Sequence, residues 1–214
     1  MNTKPRHKAF PLGWVTTRKN LLLVGGCLDK LCRLRHALDF DWAKLTLIRP
    51  EGRPFCDACL KDKRVCIVER NVQEIDVEQA DLVIESTEND EIGKQLDTWC
   101  EIHRVPLNAM DKVSYCDIHY PALLFRDTLI TAIVSGGDAP ALSSRLKKEL
   151  DQYIGPGWAT AAHIFSETRN RLPSGQKRTD LLKKLAQDKR LSELIKENDK
   201  ASIRNWIEDA INRM

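Results

Sequence analysis

The fold is decided by the stretch LLLVGGCLDKL, residues 21–31. Its first four residues form an apolar run, which is typical of a strand buried on both faces. Gly25 and Gly26 end that run and favour a tight turn. Leucines then recur at helical spacing, at Leu28, Leu31, Leu34 and Leu38. The stretch therefore predicts a buried strand, a glycine turn and a helix in direct succession.

Further apolar runs repeat the strand pattern along the first half of the chain. They are Leu45–Ile48, Arg64–Glu69, Asp81–Ser86 and Val105–Ala109. A helix is predicted between the last two, from Asp90 to Arg104. Strands that alternate with helices favour a parallel sheet, and a first strand that runs through glycines into a helix is the Rossmann arrangement. We therefore expect an α/β fold with a Rossmann-like, nucleotide-binding domain over residues 1–115.

The second half of the chain has a different pattern. Two apolar runs, Ala122–Phe125 and Leu129–Val134, predict a β-hairpin. A helix is expected from Pro140, and helical apolar spacing continues beyond residue 155. These patterns predict a small strand-and-helix segment, residues 116–154, followed by an all-helical C-terminal domain, residues 155–214.

Bulk composition sets limits on the class of protein. The chain has 214 residues, 42% of them hydrophobic, and a net charge of +3. So mild a charge argues against a dedicated nucleic-acid partner. No apolar stretch is long enough to span a bilayer, and the first residues lack the pattern of a secretory signal. We therefore expect a cytoplasmic protein without a membrane partner, whose seven cysteines are thiols or metal ligands.

The glycine turn has the position, but not the full spacing, of a dinucleotide motif. In G-x-G-x-x-G, the backbone N–H groups that open the helix hold the pyrophosphate. Counted from Gly25, Cys27 replaces the second glycine and Lys30 replaces the last small residue. A helix-capping turn without a ligand is the alternative. If the turn binds NAD, the predicted contacts come from Gly25, Gly26, Cys27, Leu28 and Asp29.

The end of the second predicted strand also departs from the usual pattern. A Rossmann fold commonly has an acidic residue there, which holds the ribose hydroxyls. This chain has Arg49 instead, with Glu51 nearby. Arg49 either favours a phosphorylated ribose or is a solvated surface charge.

Several segments together resemble one enzyme family, the precorrin-2 dehydrogenase and sirohydrochlorin ferrochelatase family of siroheme synthesis. The resemblance runs from about Phe10 to Ile211. It lies in the order and spacing of FPLGWVTTRKNLLLVGG (10–26), LVIESTENDEIGKQL (82–96), PLNAMD (106–111), VSGGDAPALSSRLKKEL (134–150) and the helical tail (177–211).

This resemblance implies a function. Relatives oxidise precorrin-2 to sirohydrochlorin with NAD and then insert Fe²⁺, which is the substrate metal. By the same resemblance Asp111 corresponds to the catalytic aspartate, Ser135 to a serine implicated in metal insertion, and Thr87 to a cofactor contact. Relatives are homodimers. The tetrapyrrole carries eight carboxylates, and the predicted cationic contacts are Arg126, Arg145 and Lys148.

Three cysteines in the first half of the chain are candidate metal ligands. Cys56, Cys59 and Cys66 have the spacing C-x₂-C-x₆-C, which can hold zinc or an iron–sulfur cluster. The alternative is three thiols, with Cys66 buried in a strand. Asp111 and His119 are the other candidate metal contacts.

Two further functions stay open from the sequence. The chain departs from its family at Cys27, Lys30, Gly93 and Ala139. These departures favour a chelatase-only or tetrapyrrole-binding relative that has lost NAD-dependent dehydrogenation. A helical adaptor is a third class, but it leaves the glycine turn and Asp111 unexplained.

Overall fold

The computed structural model describes residues 10–25, 33–49, 62–87, 89–136 and 139–213. The chain forms two compact units, Met1–Tyr120 and Pro121–Met214. The predicted boundaries after residues 115 and 154 stay a prediction.

Unit 1 is built on a parallel sheet, as the sequence predicts. Its strands are β1 (Asn20–Gly25), β2 (Lys44–Arg49), β3 (Val65–Glu69), β4 (Leu82–Ser86) and β5 (Leu107–Ala109). They lie in the order β3-β2-β1-β4-β5, and every pairing is parallel. This confirms the Rossmann-like α/β fold.

Helices cover both faces of this sheet. Among the described residues they are α1 (Arg33–Ala37), α2 (Glu74–Glu78) and α3 (Asp90–His103), and a 3₁₀ turn spans Val113–Tyr115. Leu21 and Leu23 of β1 pack with α1, whereas Leu22 and Val24 pack with α2 and α3. Alternate side chains of the central strand are therefore buried on opposite faces, which explains its unbroken apolar sequence.

α3 begins where its sequence predicts. The Asn89 side chain accepts hydrogen bonds from the backbone N–H groups of Glu91 and Ile92, which have no partner inside the helix. The helix ends at Arg104, whose backbone is left-handed, with φ of 56°. Because α3 follows β4 directly, its first turn lies at the edge where the strands end. We call this the carboxyl edge of the sheet.

Unit 2 begins with the predicted hairpin, β6 (Ala122–Arg126) paired antiparallel with β7 (Leu129–Ile133). In the described part of this unit the helices that follow are α4 (Pro140–Tyr153), α5 (Gly157–Arg171), α6 (Gln176–Gln187), α7 (Lys189–Glu197) and α8 (Lys200–Ile211). A separate core joins α5 to the last three helices around Ile164, Leu194, Ile203 and Ile207. The all-helical C-terminal region is thus confirmed.

Among the residues that the structure describes, no helix combines the length and the apolar character needed to cross a membrane.

Candidate functional site

Gly25 ends β1 in a conformation that only glycine adopts freely. Its φ is 117°, and a Cβ added there would lie 2.8 Å from the backbone carbonyl of Ser86 on β4. The end of β1 therefore passes β4 without room for a side chain at Gly25, as a phosphate-binding motif requires. Of the predicted contacts, Gly26, Cys27, Leu28 and Asp29 lie outside the described residues.

A cavity of about 240 Å³ opens at the end of β1, on the face that carries α3. It is lined by Val24, Ile48, Arg70, Asn71, Val72, Thr87, Asn89, Ile92 and Gln95. These residues lie at the ends of β1, β2, β3 and β4 and in the first half of α3. In open parallel sheets this crevice is where nucleotides bind, and the apolar and polar lining suits an adenosine group. Gly25 and this cavity therefore fit a dinucleotide.

A larger cavity, about 560 Å³, lies in unit 2 between α6 and α8. It contains none of the predicted site residues, so we do not assign it to the chemistry.

Thr87 lines the cavity, and its polar groups are hydrogen-bonded to the buried side chain of Glu85. Its hydroxyl donates to Glu85 Oε1, and its backbone N–H donates to the same oxygen at 2.6 Å. Glu85 has no exposed surface. Thr87 also accepts a hydrogen bond from the backbone N–H of Asn89 at 3.2 Å. Thr87, the predicted cofactor contact, thus lies at the carboxyl edge of the sheet, within a hydrogen-bond network that fixes its orientation.

Lys112 balances the charge of Glu85. Its Nζ lies 3.1 Å from Glu85 Oε2 and donates to the backbone oxygen of Asn89 at 2.8 Å. Gly93 of α3 makes room for this side chain, because a Cβ there would lie 3.1 Å from Lys112 Cδ and Nζ. Gly93 is one of the positions at which this chain differs from the family pattern, and the glycine there leaves space for the Lys112 side chain. Sequence reasoning missed Glu85 and Lys112; the available signal was an acid inside the apolar run DLVIES.

Asp111 lies next to Lys112 in the turn that follows β5. The backbone N–H of Met110 donates to the Glu85 carbonyl at 2.9 Å and so ties this turn to β4. Asp111 itself is exposed and left-handed, with φ of 60°. The predicted catalytic aspartate thus presents its carboxylate to solvent at the carboxyl edge.

Two arginines near the cavity are each paired with an acid. Arg49, the last residue of β2, is ion-paired with Glu69, which faces it in register on β3. Arg70 binds Asp76 through two hydrogen bonds of 2.7 Å. Burial favours the neutral form of Asp76, but the Arg70 guanidinium and the Gln73 amide outweigh it and hold its pKa below the ordinary value.

The remaining predicted site residues of unit 2 have different surroundings. Ser135 is half-buried in the loop after β7. The Arg126 guanidinium donates to the backbone oxygens of Ile154 and Asp151 and to the Asp151 carboxylate, so it caps the end of α4. On α4 itself, Arg145 pairs with Glu149 at 2.9 Å, and Lys148 is exposed.

The described residues contain no group of three or more His, Cys, Asp or Glu side chains that could hold a metal ion. Cys56 and Cys59 lie outside these residues. Cys66 lies in β3, but its side chain is exposed, so the expectation that it is buried was wrong. The physical reason is that β3 is the edge strand of the described sheet. His119 is half-buried near the end of unit 1.

The fold and the crevice define a Rossmann-type nucleotide-binding protein. A family model described as putative NAD(P)-binding matches residues 12–122. The chain belongs to this family.

Comparison with individual proteins adds two likenesses. The chain is 25% identical over 165 residues to the siroheme synthase of Psychrobacter sp. (strain PRwf-1), covering 77% of this chain and 34% of that protein. It is 26% identical over 160 residues to the siroheme synthase of Psychrobacter cryohalolentis, covering 75% of this chain and 30% of that protein. The chain thus spans about a third of the length of these curated relatives.

A solved structure shares the fold. It is SirC, precorrin-2 dehydrogenase, which superposes with a TM-score of 0.71 at 18% identity. The alignment covers 94% of this chain and 100% of that chain. Together these comparisons confirm the family resemblance that the sequence predicts.

Proposed function

We propose that this protein oxidises precorrin-2 to sirohydrochlorin with NAD as the hydride acceptor. The observation that carries the proposal is the cavity of about 240 Å³ at the carboxyl edge of a parallel sheet. It lies beside Gly25, where the close approach of the β4 backbone leaves no room for a side chain. The names of the relatives, siroheme synthase and precorrin-2 dehydrogenase, supply the substrate class.

The chain's own residues have distinct roles in cofactor binding. Gly25 permits close approach of the pyrophosphate, together with the predicted contacts that follow it in the sequence. Ile48 and Val72 offer apolar surface to the adenine, and Thr87 forms part of the cavity wall. When bound, the nicotinamide ring supplies the hydride acceptor.

Asp111 is the better of two carboxylates for moving the proton. Glu85 is fully buried and bound to Thr87 and Lys112, so a substrate cannot reach it. Asp111 is exposed at the end of the turn that Glu85 and Lys112 anchor. We assign to Asp111 the removal of the proton that accompanies hydride loss.

Cationic side chains are needed because the substrate carries many carboxylates. We assign this role to Arg145 and Lys148, which are exposed on α4. Arg126 contributes indirectly in this proposal, because its guanidinium is engaged at the end of α4.

We also propose a homodimer formed through unit 2. Its hairpin and α4 expose apolar side chains at Ile130, Val134, Leu142 and Leu146. Leu142 is 64% exposed, although it belongs to the apolar stripe of its helix. Exposed apolar surface of this kind is typical of a subunit interface.

Iron insertion is the second reaction that the family name suggests. Two pyrrole protons must leave when Fe²⁺ enters the macrocycle, and Asp111 is an accessible acceptor for them. Ser135 is assigned to the same step from its position in the loop before α4. The chelatase-only alternative predicts iron insertion into sirohydrochlorin without any NAD-dependent oxidation.

The test of the proposal follows NADH absorbance with precorrin-2, NAD⁺ and the purified protein. Wild-type protein should form NADH and sirohydrochlorin together. Asp111→Asn should reduce the rate at least about 100-fold, because general-base groups contribute about 10²–10⁴-fold. The matched control is Asp127→Asn, since Asp127 is also an exposed, left-handed turn aspartate, with φ of 55°.

An unchanged rate in Asp111→Asn would contradict the assignment of the base. If the wild-type protein forms no NADH but inserts Fe²⁺ into added sirohydrochlorin, the chelatase-only alternative is correct.

A further inference from the structure

The last residue of β2, Arg49, marks a corner of the carboxyl edge of the sheet, one residue beyond the cavity lining. Ile48 lines the cavity, and Arg49 follows it directly. Dinucleotide folds use an acid near this point to bind the ribose hydroxyls of NAD, or an arginine to bind the 2′-phosphate of NADP. Taken from the sequence alone, Arg49 points to the phosphorylated cofactor.

The neighbouring strand changes that conclusion. Glu69 is the in-register partner of Arg49 on β3, and its carboxylate accepts a hydrogen bond from the Arg49 guanidinium. The Arg49 side chain is only 17% exposed, whereas the Glu69 side chain is 51% exposed. The arginine is therefore largely covered, and within this pair the acid is the charge more exposed to solvent.

A second arginine is occupied in the same way. Arg70 lines the cavity itself, but its guanidinium donates to both carboxylate oxygens of Asp76 and to the backbone oxygen of Asn71. Asp76 also accepts from the backbone N–H of Gln73 at 2.8 Å, at the start of α2. Each of these two guanidiniums thus already carries a carboxylate as its anionic partner.

We infer that Glu69 is a specificity-determining residue that selects NAD over NADP. A 2′-phosphate at this corner would have to displace Glu69 from Arg49 or lie beside its negative charge, and both are unfavourable. A free ribose hydroxyl can instead donate a hydrogen bond to the exposed carboxylate. The acidic residue that Rossmann folds commonly have after β2 is absent there, and Glu69 on β3 takes its place in this proposal. This inference rests on the proposed function in one respect, that a dinucleotide binds in this cavity.

The experiment is calorimetric titration of the full chain with NAD⁺ and, separately, with NADP⁺. Wild-type protein should bind NAD⁺ at least tenfold more tightly. Glu69→Gln removes the negative charge beside Arg49, so it should shift the ratio of the two dissociation constants at least tenfold toward NADP⁺. Arg49→Gln combined with Glu69→Gln should lose that gain, since the guanidinium supplies it.

The matched control is Glu101→Gln, which removes the same charge from an exposed position near the C-terminal end of α3. It should leave the ratio unchanged. A urea midpoint for each variant verifies that it is folded.

The outcomes separate the two proposals. If the wild-type protein binds neither dinucleotide, the NAD-dependent function and the role of Glu69 both fail. If it binds NADP⁺ as well as NAD⁺, or if Glu69→Gln leaves the ratio unchanged, the selectivity assignment fails while dinucleotide binding stands.

Discussion

Lys112 Nζ lies 3.1 Å from Glu85 Oε2, and Glu85 has no exposed surface. The pair joins the end of β4 to the turn that carries Asp111. A buried ion pair is not in itself strong evidence for stability, because desolvation of both charges offsets their attraction. Removal of one partner is different, since it leaves the other charge buried alone.

Substitution of Lys112 with methionine tests this relationship. Lys112→Met keeps most of the side-chain volume but leaves Glu85 without its cation. We expect a loss of about 3–5 kcal/mol in the free energy of unfolding at pH 7, measured by urea titration. The hydrogen bond from Lys112 to the Asn89 carbonyl is lost as well.

The double variant Glu85→Gln with Lys112→Met provides the control. Gln Oε1 can still accept from the Thr87 amide and hydroxyl, and no charge is left unbalanced. It should recover at least about half of the lost stability. Equal destabilisation of the single and double variants would show that packing, and not charge, dominates at this position.

A second ion pair predicts a pH dependence. Asp81 accepts from Lys19 Nζ at 2.8 Å and from the backbone N–H of Asn20 at 2.8 Å. The Lys19 ammonium, followed by the Asn20 amide, holds the pKa of Asp81 below its ordinary value. Its contribution to stability is therefore full above the unfolded-state pKa of about 3.9, and is lost as the pH falls through the lower native pKa.

Asp81→Asn should accordingly be less stable than the wild-type protein at pH 7, by about 1 kcal/mol, because a partly exposed ion pair contributes little more. The difference should shrink as the pH falls below about 3.9, the unfolded-state pKa. Thermal unfolding at a series of pH values measures both quantities. Asp209→Asn, at an exposed position on α8, serves as the control; a constant difference for Asp81→Asn at all pH values would refute the ionic explanation.

Much of the fold follows from the apolar pattern of the sequence. The apolar run Leu21–Val24 predicts the first strand, which spans Asn20–Gly25, and the hairpin and helical tail are also where the pattern indicates. The short helix α2 (Glu74–Glu78) was not predicted. Five residues give no periodic signal. This helix depends on the Asp76 carboxylate, which accepts a hydrogen bond from the backbone N–H of Gln73. Local capping of this kind is hard to distinguish from a polar loop.

The site could be predicted only in part. Gly25 and Asp111 follow strands, so their positions at the carboxyl edge are evident from the sequence. The pairs Glu85–Lys112 and Arg49–Glu69 each join residues about 20 or more positions apart. Their contacts depend on strand order and register, which residue types alone do not report.

The environments of the cysteines predict different reactivities. Cys100 is buried within the core of unit 1, and burial raises the pKa of its thiol to about 12. Cys66 is exposed on β3. Because the thiolate is the reactive form, we expect iodoacetamide at pH 8 to label Cys66 in the folded protein, and Cys100 only after unfolding. Peptide mass spectrometry identifies each site, and labelling of Cys100 as fast as Cys66 would contradict the described burial.

Gly157, at the start of α5, is packed against the backbone of another helix. A Cβ added there would lie 1.8 Å from the carbonyl oxygen of Ile195 on α7, a distance that no real contact tolerates. Gly157→Ala must therefore push the two helices apart. We expect a loss of about 1–3 kcal/mol in the free energy of unfolding, as for other overpacked sites, measured by urea titration.

Gly155→Ala is the matched control two residues earlier. A Cβ at Gly155 has no atom within 4 Å, and its backbone is not left-handed. This substitution should be neutral or slightly stabilising, because alanine reduces the entropy of the unfolded chain. The sign of the effect should thus differ between the two positions. Similar stability for both variants would mean that α5 and α7 can separate at little cost, and that the core of unit 2 does not depend on this close approach.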